Sequence, residues 1–294
     1  MSLFTFTNLL YIFIGTFVGL LFGSIPGLGA ITAMIFLLPI TFNLEPLTAI
    51  LLLLAAFQGA EYGGSISAIT LGIPGTVTAT ATVADGNAFA RQKSPGKALA
   101  YSLTASTIGG FAGGIVLVFL SIPFAKFALT ISAPEFFMLG LLGMLAVPAI
   151  SSLNMTKSFI AAILGLMAAT IGMDMFTGAS RFTMGQPDLM EGIAIVTLMV
   201  GLFAFPEVFS IISKDLYKKY VTDNKNLKTK ITFKEFKSVL KPIGIGSTVG
   251  SIFGILPGFG AVAASWSSYA LARKWSKTPE QFGKGNPEGI AAPE

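Results

Sequence analysis

The sequence contains no cysteine and no histidine. The first absence excludes disulfides, thiolate nucleophiles and Cys-ligated metals. The second removes the usual general base and the commonest metal ligand. Neither a Ser-His-Asp hydrolase nor a two-histidine zinc enzyme can be built from this chain. Charge is also scarce: Asp, Glu, Lys and Arg make up 11% of the 294 residues, against about 25% in an ordinary soluble domain. The charged groups left as catalytic candidates lie almost entirely outside the apolar segments, so an enzyme, and any cofactor, is not expected.

Apolar surface is what the chain has in excess. It is 53% hydrophobic, with a mean hydropathy of +0.77. At this length surface-to-volume scaling leaves much of a folded chain exposed, so the surplus must face a lipid bilayer. The expectation is an all-α polytopic membrane protein. Its formal net charge of +5 sits in loops, where membrane topology accounts for it better than nucleic acid does. No Lys or Arg precedes the first apolar run, so residues 1–21 read as a retained membrane segment, not a cleaved signal.

Residues 1–44 carry no charge and residues 46–84 carry one, Glu61. Further uncharged stretches cover 98–125, 136–156, 158–173, 192–206 and 242–272. A span needs about 20 apolar residues; the shorter stretches reach it if Lys157, Glu191 and Glu207 lie at the interfaces. The chain thus divides into residues 1–212, a first repeat of several apolar segments; 213–241, rich in lysine; and 242–294, the start of a second repeat. Placing 213–241 in the cytoplasm puts Arg91, Lys93 and Lys97 there too and leaves 174–188 outside, as the positive-inside rule requires.

The repeat is visible directly. "GTFVGLLFGSIPGLGA" at 15–30 returns as "GSTVGSIFGILPGFGA" at 246–261, an offset of 231 with seven Gly, Pro and Ala identities in register. GxxxGxxxG sets three glycines on one helix face, where a neighbouring backbone can approach; plain helix packing explains it. The Pro-Gly-x-Gly that follows is different, because proline removes a donor and glycine admits positive φ. Broken backbone at membrane depth persists only inside protein or beside an aqueous cavity. Discontinuous or re-entrant helices are therefore expected at Pro26, Gly27 and Gly29 and at Pro257, Gly258 and Gly260. Charge flanks on the second copy imply a hairpin, and an odd number of crossings between copies makes the repeats inverted.

Glu61 follows fifteen uncharged residues, about 22 Å of helix, and an ionisable group at that depth is a functional candidate. The rival reading is an ion pair that only docks helices. Tyr62 adjoins it. Gly63-Gly64 and Gly72-Ile73-Pro74-Gly75 are expected to interrupt the helix twice, and Ser65, Ser67, Thr70, Thr76, Thr78, Thr80 and Thr82 supply hydroxyls. Helix N-termini at such breaks favour anions, and freed carbonyls, as at Gly72 and Gly75, favour Na⁺. Asp85 reads as a helix-end or turn residue. "GIGSTVG" and "GKGNPEG" are not phosphate loops.

At "GSIPGLGA", "GAEYGGSISAITLGIPGT", "ATVADGNAFARQKSPGKALA", "GILPGFGA" and "FGKGNPEGIAAPE" the chain resembles the large membrane subunit of tripartite tricarboxylate transporters. The resemblance runs from near residue 15 to the end. It implies ion-driven uptake of a carboxylate substrate such as citrate across the bacterial inner membrane, with Na⁺ or H⁺ as the coupling ion. It also implies two partners, a periplasmic solute-binding protein and a small membrane subunit. Family members continue past Ala-Ala-Pro-Glu into a second Gly-Ile-Pro-Gly region, so the chain is expected to be truncated there. A non-transporting scaffold and a passive anion channel are the alternatives to a carrier.

Overall fold

The computed structural model describes residues 3–130, 132–135, 137–138, 140–141, 155–174, 177–194, 197–198, 201–202, 209, 229–255 and 260–294. The predicted spans at 136–156 and 192–206, most of the lysine-rich segment, and Pro257 and Gly258 lie wholly or largely outside these. Helices α1 (Phe6–Ser24), α2 (Gly29–Thr41), α3 (Pro46–Leu71), α4 (Thr80–Gln92) and α5 (Pro95–Ala128) follow one another from the N-terminus. After α6 (Met155–Ala169) comes a two-residue β-ladder, Gly172–Met173 with Ser180–Arg181. Then come α7 (Phe233–Ile255), α8 (Gly260–Trp275) and the short α9 (Pro287–Ala291).

Three of the described helices, α1, α3 and α5, are long and apolar enough to cross a membrane. Their outer faces carry large bare side chains: Phe13 is 68% exposed, Phe111 74% and Phe119 75%. In water such a surface would drive aggregation; lipid accommodates it. The chain is an all-α polytopic membrane protein, and the β-ladder is its single departure among the described residues.

Local chemistry sets the helix ends. The Thr5 hydroxyl accepts from the Asn8 N–H at 3.2 Å to start α1, and Pro46 opens α3, where its missing donor is harmless. α7 starts inside the lysine-rich segment because Thr-Phe-Lys-Glu (232–235) is a capping box. The Glu235 carboxylate accepts from the Thr232 N–H at 2.8 Å, and the Glu235 N–H donates back to the Thr232 hydroxyl at 3.4 Å.

The first Pro-Gly break is a true hairpin. Gly27 and Gly29 have φ of 104° and 65°, and Phe22 and Phe36, on opposite sides of the tip, meet at 5.3 Å between ring centroids. Two helices in line could not bring those rings together. α3 then runs parallel to α1: a Cβ on Gly15, Gly19 or Gly23 would land on the carbonyl oxygen of Leu52, Ala56 or Ala60 in turn. A buried hydrogen bond from Thr48 to Asn8 at 2.7 Å fixes the other end of this pair.

The second copy places its helix ends at the same offset. α1 ends at Ser24 and α7 at Ile255; α2 begins at Gly29 and α8 at Gly260, with φ of 65° and 64°. The two copies meet in a core of Ile69, Phe89, Tyr101, Val239, Ile243 and Ile290.

One expectation fails here. α3 passes through Gly63-Gly64 without interruption and ends only at Gly72, which takes the left-handed conformation with φ of 75°. Glycine permits a break without requiring one, and these two are selected for close contact instead. A Cβ on Gly63 would meet the Leu20 carbonyl oxygen at 2.6 Å, and one on Gly64 would meet the Thr76 backbone nitrogen at 2.7 Å.

An ion pair joins α5 to α7, Lys97 Nζ to Glu235 Oε1 at 2.5 Å. Lys97 and the Thr232 cap hold the Glu235 carboxyl down at about 2. Because the folded value is depressed, the stabilisation is complete above the ordinary carboxylate range and disappears as pH falls toward 2. Thermal unfolding of Glu235→Gln against the parent should therefore differ at pH 6 and converge by about pH 2; a difference that persists at the acid end would contradict this.

Candidate functional site

The loop 72–79 folds back along α3. The Gly75 N–H donates to the Gly64 carbonyl at 3.3 Å, and a Cβ on Gly75 would strike both the Gly23 carbonyl and the Ser67 hydroxyl. Pro74 is fully buried and Thr76 is 6% exposed. The predicted Gly63–Ser67 and Gly72–Thr76 residues therefore pack together, with Ser67 bonded back to the Gly64 carbonyl at 3.0 Å. The C-terminal end of α3 is satisfied by Asn87, whose amide donates to the Ile69 carbonyl at 3.0 Å.

Folding the loop back delivers Thr78 to Glu61. The Thr78 hydroxyl donates to Glu61 Oε2, and Thr76 and Thr78 share a hydrogen bond of 2.9 Å. Beyond them opens a cavity of about 250 Å³ lined by Glu61, Tyr62, Ser65, Thr78, Thr82, Ser106, Ser265 and Glu294, among others. Tyr62 reaches past it toward the Leu99 carbonyl, at 3.4 Å. The cavity joins the two copies: Glu61, Thr78 and Thr82 come from the first, Ser265 and Glu294 from the second.

Glu294 is the residue that sequence reasoning missed. Its carboxylate accepts from Thr82 at 2.7 Å and from Ser106 at 2.9 Å, so it faces Glu61 across the cavity. Subtracting the repeat offset from 294 gives residue 63, two places from Glu61; that near-equivalence was the available signal. Around them Ser265 donates to the Thr78 carbonyl at 3.1 Å and the Trp266 indole to the Thr80 hydroxyl at 3.0 Å. No ion pair among the described residues holds Glu61, so the helix-docking reading of this carboxylate finds no cation here.

The other predicted residues lie apart. Pro26, Gly27 and Gly29 form the hairpin tip and do not line this cavity, and no atom outside the chain neighbours comes within 4 Å of a Cβ placed on Gly29. Gly72 and Gly75, the expected Na⁺ carbonyls, are not in its wall either. Gly260 opens α8, and its neighbour Ala261 does line it. A second, larger cavity of about 510 Å³ lies between α5 and α7, mostly against glycine and apolar side chains, with Glu294 at its edge. Its few polar groups suit it poorly to a charged solute. Among the described residues no three acidic side chains gather as a metal site would require.

A family model described as the tripartite tricarboxylate transporter TctA family matches residues 9–294. The chain belongs to that family. It is 37% identical over 287 residues to an uncharacterised 52.8 kDa protein from the TAR-I ttuC' 3' region of Agrobacterium vitis, covering 98% of this chain and 57% of that one. It is also 51% identical over 45 residues, 15% of the chain, to an uncharacterised protein from the TAR-II ttuC' 3' region of the same organism, covering 19% of that protein. The chain thus spans little more than half the length of the longer relative. No solved structure matches it.

Proposed function

We propose that this family member is the membrane subunit of an ion-driven carboxylate carrier, taking up a tricarboxylate or related acid across a bacterial inner membrane. A periplasmic solute-binding protein and a small membrane subunit complete the system. The observation that carries the reading is the hydroxyl-lined cavity at the junction of the two copies, with Glu61 on one wall and Glu294 on the other. Two carboxylates in a low-dielectric site repel any free anion strongly. A substrate carboxylate enters only if a cation or proton enters with it, which favours symport over a passive channel. Na⁺ or H⁺ at Glu61 fills that role.

The N-terminus of α8, whose second residue Ala261 lines the cavity, presents first-turn N–H groups and a positive dipole end to the substrate. The break at Pro26–Gly29 and its repeat counterpart, where α8 begins at Gly260, are the segments that rock against each other about this site in an inverted-repeat cycle. The test is uptake of labelled citrate by cells that hold the chain with both partners, with and without an ionophore. Uptake that collapses with the ion gradient supports the reading. Uptake indifferent to the ionophore would favour a channel, and no uptake with all components present would favour a scaffold.

A further inference from the structure

Asp85 is completely buried in the middle of α4, not at a helix end or turn as the sequence implied. Its carboxylate accepts four groups: the N–H of Gly283 at 3.0 Å, of Gly285 at 2.9 Å and of Asn286 at 2.7 Å, and the Tyr269 hydroxyl at 2.8 Å. Every donor belongs to the second copy, while Asp85 belongs to the first. Gly283 and Gly285 have φ of 79° and 94°, which turns successive N–H groups inward as a backbone nest. Gly289 completes the fit, since a Cβ there would fall on the Asp85 carboxylate, and a Cβ on Gly285 would meet the Phe89 nitrogen at 2.9 Å. "GKGNPEG" is thus an anion-binding loop after all, and its anion is a side chain of the same molecule.

We infer that residues 283–286 are a carboxylate receptor for Asp85, and that this contact sets the register between the copies and hence the shape of the Glu61–Glu294 cavity. The physical argument is one of uniqueness. Apolar contacts between α4 and the second copy would tolerate sliding by a fraction of a turn, as hydrophobic packing is non-directional. A carboxylate seated in a ring of directed donors does not slide, because any displacement strands a buried charge. One turn before Asp85 on α4 stands Thr82, and Thr82 holds Glu294. Asp85 is therefore a positioning residue: it touches no substrate, and it places the wall that does.

The test needs no transport assay, so it stands or falls apart from the carrier reading. Asp85→Asn keeps the shape of the side chain but turns a donor toward donors. In the intact chain, hydrogen exchange at the Gly283, Gly285 and Asn286 amides should then accelerate about tenfold or more, with Ala56 and Ala60 of α3 unchanged. Because the chain has no cysteine, a Ser265→Cys reporter can be added cleanly, and its labelling rate by a thiol reagent should rise in the Asp85→Asn background. Asp85→Ala should show the same exchange, slowed again by formate but not by chloride or formamide. Unchanged amide exchange or unchanged labelling in Asp85→Asn overturns the inference, as does a folded Asp85→Ala that ignores formate. If Asp85→Ala does not fold, the Asp85→Asn results decide alone.

Discussion

Glu61→Gln is expected to reduce ion-driven citrate uptake by about 30-fold or more, with the protein still folded and still in the membrane. The magnitude follows from removing one charged member of a desolvated polar set, an effect of about 2–5 kcal/mol. Glutamine preserves the shape and can still accept from the Thr76 and Thr78 hydroxyls that hold Glu61, so packing should survive. On the carrier reading proposed above, what disappears is the negative charge that would attract the coupling ion. The sharper readout is stoichiometry: any residual uptake should respond less to an imposed gradient than the parent does. Glu294→Gln should also impair uptake, since it removes charge from the facing wall. If Glu61→Gln leaves both rate and ion dependence intact, Glu61 takes no part in coupling and the cavity is structural. The ionophore experiment would separate that result from failure of the carrier reading as a whole.

The matching helix ends of the two copies were legible in the sequence, because glycine and proline leave local signatures. The offset between copies predicts where α1 and α7 end and where α2 and α8 begin, and the hairpin follows from chemistry contained in four residues. Glu61 stood out by its isolation in apolar surroundings. Three other features were not legible, each for its own reason. Gly63-Gly64 looked like a break because glycine is compatible with both helix and turn; only the carbonyl of Leu20 and the folded-back Thr76 decide between them. Asp85 looked like a helix terminus, since its four donors lie between 184 and 201 residues away and nothing local announces them. Glu294 drew no notice inside a family signature, and its place opposite Glu61 depends on Thr82 and Ser106, which come from two other helices. Long-range polar complementarity is written in the fold, and apart from the repeat offset that hints at Glu294, residue spacing does not reveal it.

The same glycine motif occupies two different environments, which sets up a paired comparison within one molecule. Gly19 on α1 and Gly250 on α7 are related by the repeat offset. A Cβ on Gly19 would collide with the Ala56 carbonyl and meet the Ala60 nitrogen at 2.9 Å, all of it backbone that cannot step aside. A Cβ on Gly250 meets no described atom within 4 Å. Gly19→Ala must push α1 and α3 apart along the whole interface, and overpacking of this kind removes about 2–3 kcal/mol. Association of membrane helices draws on close van der Waals contact, without help from water, so little else compensates. Gly250→Ala relieves the helix of a poor former and should be neutral or stabilising by up to about 1 kcal/mol. Thermal unfolding of the two variants in detergent, side by side, measures the difference, with Gly246→Ala falling between them because the described atoms nearest its Cβ all belong to Ala292. Equal losses at Gly19 and Gly250 would mean that α7 is packed as tightly as α1, and that the two copies present equivalent faces to their neighbours. The expected asymmetry means instead that the α1–α3 pair is a fixed body with backbone-to-backbone contact. Among the described residues the glycine face of α7 then borders the larger cavity, beside Glu294.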